Sequence, residues 1–282
     1  MKQLFQKKRS AAALLLGGAL AISALGAQAA TGGTASPTAT PSSGAPSSPL
    51  ATAPSASANP ALALLDAIDS AQRYSSISYT GAMEITQGSR VLKKQYTAYA
   101  RGSDHVLLEF TNPEDRGVRM LRLGASIWMY FPSEGDTIRI SGSLMRQGLM
   151  GSNLSYEEVA EGESLRASYS AEIIREEMLD GRPCAVLKLT SSKTDISYPT
   201  RVLWVDASRK VPLKIELYAR SGILMKTIYV RDLQPISGRL LPITIEIVDA
   251  LKKNSKTLFS MRDIKLDLDL ADNLFTMQAL TR

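Results

Sequence analysis

Ile127-Trp128-Met129-Tyr130-Phe131, stopped by Pro132, is apolar at every position. Successive side chains of an extended chain point to opposite faces, so this run offers no face to water. Such a strand either lies between two packed layers or lines a cavity with one face. Residues 137–140 can pair with it across the turn Ser133-Glu134-Gly135-Asp136.

Working outward, the runs 77–86, 94–100, 105–110 and 118–123 are β-like and separated by Gly, Asn, Asp or Pro. On the other side, 168–178 and 183–190 flank Asp180-Gly181, a strong hairpin signal. The runs 201–206, 211–219, 223–232, 241–248 and 257–268 follow, with tight turns at Ser208-Arg209 and Ser221-Gly222. Alternation is clear in Lys214-Ile215-Glu216-Leu217-Tyr218, where one face meets water.

Helical signals are few. Asn59 is a helix cap with Pro60 at the first helical position, and Leu62, Leu65, Ile68 and Ala71 follow at helical spacing, which predicts a helix over 60–74. Residues 143–165 break the strand rhythm as an apolar insertion that contains Met145 and Met150. Within it Ser155 and Glu158 form a capping box that starts a short helix. Residues 271–275 read as a closing helical turn. The expected class is mainly β with helices (α+β): one antiparallel sheet of roughly ten or eleven strands, with helices covering its concave face.

The ends are of another kind. Residues 1–29 carry Lys2, Lys7, Lys8 and Arg9, then an apolar run over 11–25, then Ala27-Gln28-Ala29, the order of a cleavable signal peptide. The run falls short of the about 20 apolar residues that span a bilayer. No cysteine follows it, so the expected mature chain has no lipid anchor of its own. Residues 30–58 are uncharged and almost wholly Ala, Ser, Thr, Pro and Gly, which predicts a disordered linker. The folded domain is then 59–282. Export places it in the periplasm, with peripheral contact to the outer membrane as an expectation.

Composition excludes several functions. The formal net charge is +6, but four of the positive charges belong to the leader, so the domain is close to neutral and carries no argument for nucleic acid. The single cysteine, Cys184, cannot form an internal disulfide, and its neighbours Pro183, Ala185, Val186 and Leu187 suit a buried, inert thiol. With His105 the only histidine, no usual zinc, iron or copper site can be assembled, and neither a metal nor a cofactor is expected. A hydrolase would need His105 as its base; Ser103 and Asp104 precede it, but adjacent residues of a strand face opposite ways. A Gly-x-Ser-x-Gly elbow and a phosphate-cradling glycine loop are both missing. No catalytic residue is assigned.

What remains is apolar surface rich in methionine, a side chain suited to variable acyl shapes. Met120, Trp128, Tyr130, Leu144, Met145, Leu149, Met150 and Trp204 are the candidate lining of a lipid cavity; packing between sheet and helices would use the same residues.

Three stretches together resemble the outer-membrane lipoprotein-sorting, LolA-like family, in particular its uncharacterised periplasmic branch. They are Phe110-Thr111-Asn112-Pro113-Glu114-Asp115-Arg116-Gly117 running into Met120-Leu121; Ile127–Pro132 leading through Ile138-Arg139-Ile140 to residues 150–158; and Leu203-Trp204-Val205-Asp206 followed by Val211-Pro212-Leu213-Lys214, Gly222 and Arg231-Asp232. Asn153 and Leu154 stand where the family usually has Asp and an aromatic residue. The resemblance implies an unclosed, strongly curved antiparallel barrel lidded by helices, and a carrier of lipids or lipoprotein acyl chains. An inner-membrane transporter and an outer-membrane acceptor are the partners it suggests. An envelope scaffold without ligand and, last, a lipid-directed hydrolase are the other readings.

Overall fold

In the computed structural model of the chain, the residues described are 59–71, 73–161, 165–194 and 196–282. The expected leader and linker lie outside them. One antiparallel sheet dominates. Its N-terminal part is β1 (Ser76–Gln87), β2 (Arg90–Arg101), β3 (His105–Phe110), β4 (Arg119–Leu123), β5 (Ser126–Phe131) and β6 (Asp136–Ile140). After the insertion come β7 (Ser170–Leu179), β8 (Arg182–Thr190), β9 (Thr200–Asp206) and β10 (Val211–Tyr218). The series closes with β11 (Leu224–Ile236), β12 (Arg239–Asp249) and β13 (Ser255–Leu266).

The spatial order is β6-β5-β4-β3-β2-β1-β13-β12-β11-β10-β9-β8-β7, so every strand pairs with a sequence neighbour except where β1 meets β13. The sheet has thirteen strands, which corrects the count of ten or eleven. Each apolar run is a strand in its own right, because even the five-residue β4 and β6 complete a hairpin. Asp180 and Gly181 both take positive φ, the geometry of the hairpin turn that twisted strands favour.

Helices are short. α1 (Pro60–Ala71) starts where expected, with the Ala61 amide donating to Asn59 Oδ1 at 3.0 Å. It stops before the predicted end: Arg73 and Tyr74 lie beyond it, and Tyr74 turns into the core. α2 (Tyr156–Ala160) carries the full Ser155–Glu158 capping box, and α3 (Leu165–Ser168) and α4 (Met277–Leu280) follow.

The main core lies on one face of the sheet. Met83 and Ile85 of β1, Tyr96 of β2, Phe110 of β3, Met129 of β5, Leu203 of β9 and Phe259 of β13 all belong to it, together with Leu65 and Ile68 of α1 and Val159 of α2. Gly81 of β1 makes room for the Tyr96 ring, since a Cβ there would sit 2.3 Å from it. The opposite face carries two smaller apolar clusters. Leu107, Leu121, Trp128 and Tyr130 pack under Phe275 and Leu280 of the C-terminal segment. Cys184, Val186 and Trp204 form the other, beyond it on β8 and β9.

Candidate functional site

The site is built around α2. Arg122 on β4 shares the inward phase of Met120, and Arg201 on β9 that of Leu203, so both cations point into the main core. Lys226 on β11 shares the phase of Ile228 in the same way. All three reach the end of the insertion. Arg122 donates to Ala160 O at 3.0 Å and to Gly124 O at 2.8 Å. Arg201 pairs with Glu161 and donates through Nε to Tyr169 Oη at 2.8 Å. Lys226 pairs with Glu158 and donates to Asn153 O at 2.7 Å.

This arrangement measures the curvature of the sheet. β4 is third from one edge and β9 third from the other, eight strand steps apart. A flat sheet would separate them by about 38 Å, whereas α2 with its five residues is about 8 Å long. Side chains from both flanks can meet one helical turn only if the sheet is strongly curved. It remains unclosed: β6 and β7 are its two ends and do not pair.

Electrostatics fix α2 further. Glu158 accepts from the Ser155 amide and hydroxyl at 2.7 Å each, besides Lys226. Burial pushes Arg122 down to about 10, although Asp104 opposes it. Burial works against the charge on Arg201 too, but Glu161 and Tyr169 outweigh it and hold the guanidinium above its ordinary range. Asn153, upstream of α2, ties the insertion to β13: its amide N–H donates to Thr257 Oγ1 at 2.9 Å and its Nδ2 to Ser255 Oγ at 2.8 Å, while Thr257 donates back to Asn153 Oδ1.

Beside α2 lies a cavity of about 380 Å³. Met145, Ala160, Ile196 and Tyr198 line it and pack against the main core. The rest of its lining is Ala125, Ser168 and Ser197 together with charged groups, Glu157, Glu158 and Glu161 from the α2 side and Lys193 and Arg201. Burial first, then Glu158 and Glu157, push the Tyr198 phenol far up.

The eight predicted cavity residues do not form one group. Met120 and Leu149 are fully buried in the main core, with Leu144, Met145 and Met150 packed at its margin. Trp128 and Tyr130 face the other side of β5, beneath the C-terminal segment. Trp204 also faces outward, with Lys214 Nζ 4.0 Å from its ring centre. Of the eight, Met145 lines the cavity. The doubly apolar β5 therefore lies between two packed layers. The cations Arg122 and Arg201 went unpredicted; the signal was a charge at a core-phase position, next to Met120 and Leu203 in the alternation.

His105 lies at the start of β3, with Nδ1 2.8 Å from Asp104 Oδ1 and its ring 5.6 Å from that of Phe275. It is on the outer side, away from the cavity lining. Among the described residues no cluster of three or more His, Cys, Asp or Glu could hold a metal ion, and no helix is long and apolar enough to cross a membrane.

A family model whose description reads uncharacterized protein matches residues 102–282, more than half of the chain. A LolA superfamily protein from Nitrosomonas europaea is 26% identical, with 78% of this chain and 98% of that one covered and a TM-score of 0.65. The chain belongs to the LolA-like family. A DUF1329 family protein from Desulfovibrio piger is 25% identical over 79% of this chain and 100% of that one, with a TM-score of 0.72. A Vibrio parahaemolyticus domain assigned to outer membrane lipoprotein sorting shares the fold at 20% identity, 79% and 99% coverage and a TM-score of 0.71. No curated protein matches the sequence. The LolA-like fold accounts for an unclosed sheet that holds its core on one face.

Proposed function

We propose that this chain is a non-enzymatic periplasmic carrier that binds lipid or lipoprotein acyl chains between the sheet and the 142–161 segment. In this reading the helices close the concave side and α2 gates the entrance. The observation that carries it is the cavity beside α2, apolar where it meets the core and charged at its rim. Its volume of about 380 Å³ falls in the range of small-molecule sites, about 300–1,000 Å³. Each buried methylene contributes about 0.8 kcal/mol, so part of one acyl chain gives useful, reversible affinity. Likeness to LolA superfamily structures supports the reading, as does the exported leader expected from the sequence.

The test is mass spectrometry on organic extracts of protein purified without detergent, with displacement of a fluorescent fatty acid as the second assay. Co-purified lipid and saturable displacement are expected. Absence of both rules the carrier out. A ligand-free scaffold is the second reading, favoured by a core whose centre is filled by its own side chains: Tyr96, Phe110 and Phe259 are at most 1% exposed. A hydrolase built on His105 predicts ester cleavage lost in His105→Ala.

A further inference from the structure

The cavity beside α2 has an uneven balance of charge. Met145, Ile196 and Tyr198 continue the apolar core to its wall. On the α2 side, Glu158 is committed to Lys226 and Ser155, and Glu161 to Arg201. Glu157 lines the same cavity half-buried, with no ion pair or hydrogen bond to its carboxylate among the described residues. From the β8–β9 connection and β9, Lys193 and Arg201 line the same cavity, with Lys193 Nζ donating to Ser168 Oγ at 3.1 Å. One wall thus offers an acceptor for a cation and the other offers cations for an anion.

We propose, building on the carrier reading, that this cavity selects an amphiphile whose head carries both an ammonium and a phosphate. The ammonium sits at Glu157, where a primary amine supplies the donors that carboxylate lacks. The phosphate turns toward Lys193 and Arg201, and the acyl chain runs along Met145 and Ile196 toward the core. A head carrying only negative charge brings no cation to Glu157 and meets three carboxylates among the described lining residues, while Lys193 and Arg201 both already have partners. Desolvation at the rim strengthens both preferences, because charge pairs gain as water leaves.

The experiment measures displacement of a fluorescent fatty acid from the mature chain by lysophosphatidylethanolamine and by lysophosphatidylglycerol of equal acyl length. Wild type and Glu157→Gln are compared, with melting temperature as the check on folding. The ethanolamine lipid is expected to bind about tenfold tighter, the worth of one charge-assisted hydrogen bond, and Glu157→Gln to remove most of that preference. Equal or tighter binding of the glycerol lipid overturns the inference and leaves the carrier intact. A preference that survives Glu157→Gln overturns it as well. Failure of the fatty acid and of both lipids to bind removes the carrier reading itself.

Discussion

The core face of the sheet and the 142–161 segment press against each other, yet different forces hold them. On the sheet, Tyr96, Phe110, Met129 and Phe259 are locked by apolar contact from neighbouring strands. The segment has its own apolar anchors in Leu149, Leu154, Tyr156 and Val159, with Leu144, Met145, Met150 and Ala160 at the core margin, but it adds to them a set of polar ties. Its path is irregular: Met150 takes a φ of 49°, and a Cβ on Gly148 would meet Ser152 O at 1.8 Å. Much of its attachment is polar, through Asn153, Arg122, Arg201 and Lys226. Packing is collective, whereas a hydrogen bond contributes about 1 kcal/mol on its own. The segment is therefore expected to open at lower cost than the sheet.

If that contrast is right, removing a charge has opposite effects in the two regions. Asp69 is the exception on the core side: it lies on the buried face of α1, 6% exposed, and its Oδ1 has no hydrogen-bond partner among the described residues. Burial and then Asp66 raise its carboxyl to about 7, against the pull of Arg73 and Arg166. From about pH 4 to 7 the folded chain keeps a proton that the unfolded chain has lost, so this group's contribution to stability falls as pH rises through that window. Asp69→Asn should gain nothing below it and as much as about 4 kcal/mol above pH 7, as read by urea unfolding at both ends. A gain independent of pH would refute the assignment.

Overfilling the core comes next in size. Gly81→Ala drives a methyl into the Tyr96 ring and should cost about 2 kcal/mol in global stability, with the α2 contacts unchanged. If fatty-acid affinity falls as far as stability, core and segment are one cooperative unit and the contrast fails. The smallest effect is expected at α2. Lys226→Met removes the ammonium from Glu158 and Asn153 O but keeps an apolar stem near Tyr198. Hydrogen exchange should speed up about tenfold across 149–158, while β1 and β13 amides keep their rates.

Much of the fold was legible because its signals are local. The hairpin at Asp180-Gly181, the cap at Asn59 and the Ser155–Glu158 box depend on residues within a turn of each other. Thirteen β-like runs stand in the sequence, those that become β4 and β6 among them, and the count of ten or eleven was lower than the runs themselves allow. The site was legible only in part. Apolar content marked both β5 and β9 as important, but alternation gives two faces without saying which is inner. Trp128, Tyr130 and Trp204 thus read like Met120 although they face away from it.

From its sequence alone this chain had determined a mainly β domain, the turns between its strands, the helical insertion and the likeness to LolA-like proteins, since period, turn chemistry and short motifs are written residue by residue. The tertiary structure alone decided which face of each strand became the core and which side chains met across the sheet. Arg122 lies far from Arg201 and Lys226 both along the chain and along the strand order. Only the curvature of the sheet, the sum of twist and packing over all thirteen strands, brings them to α2 and forms the cavity beside it.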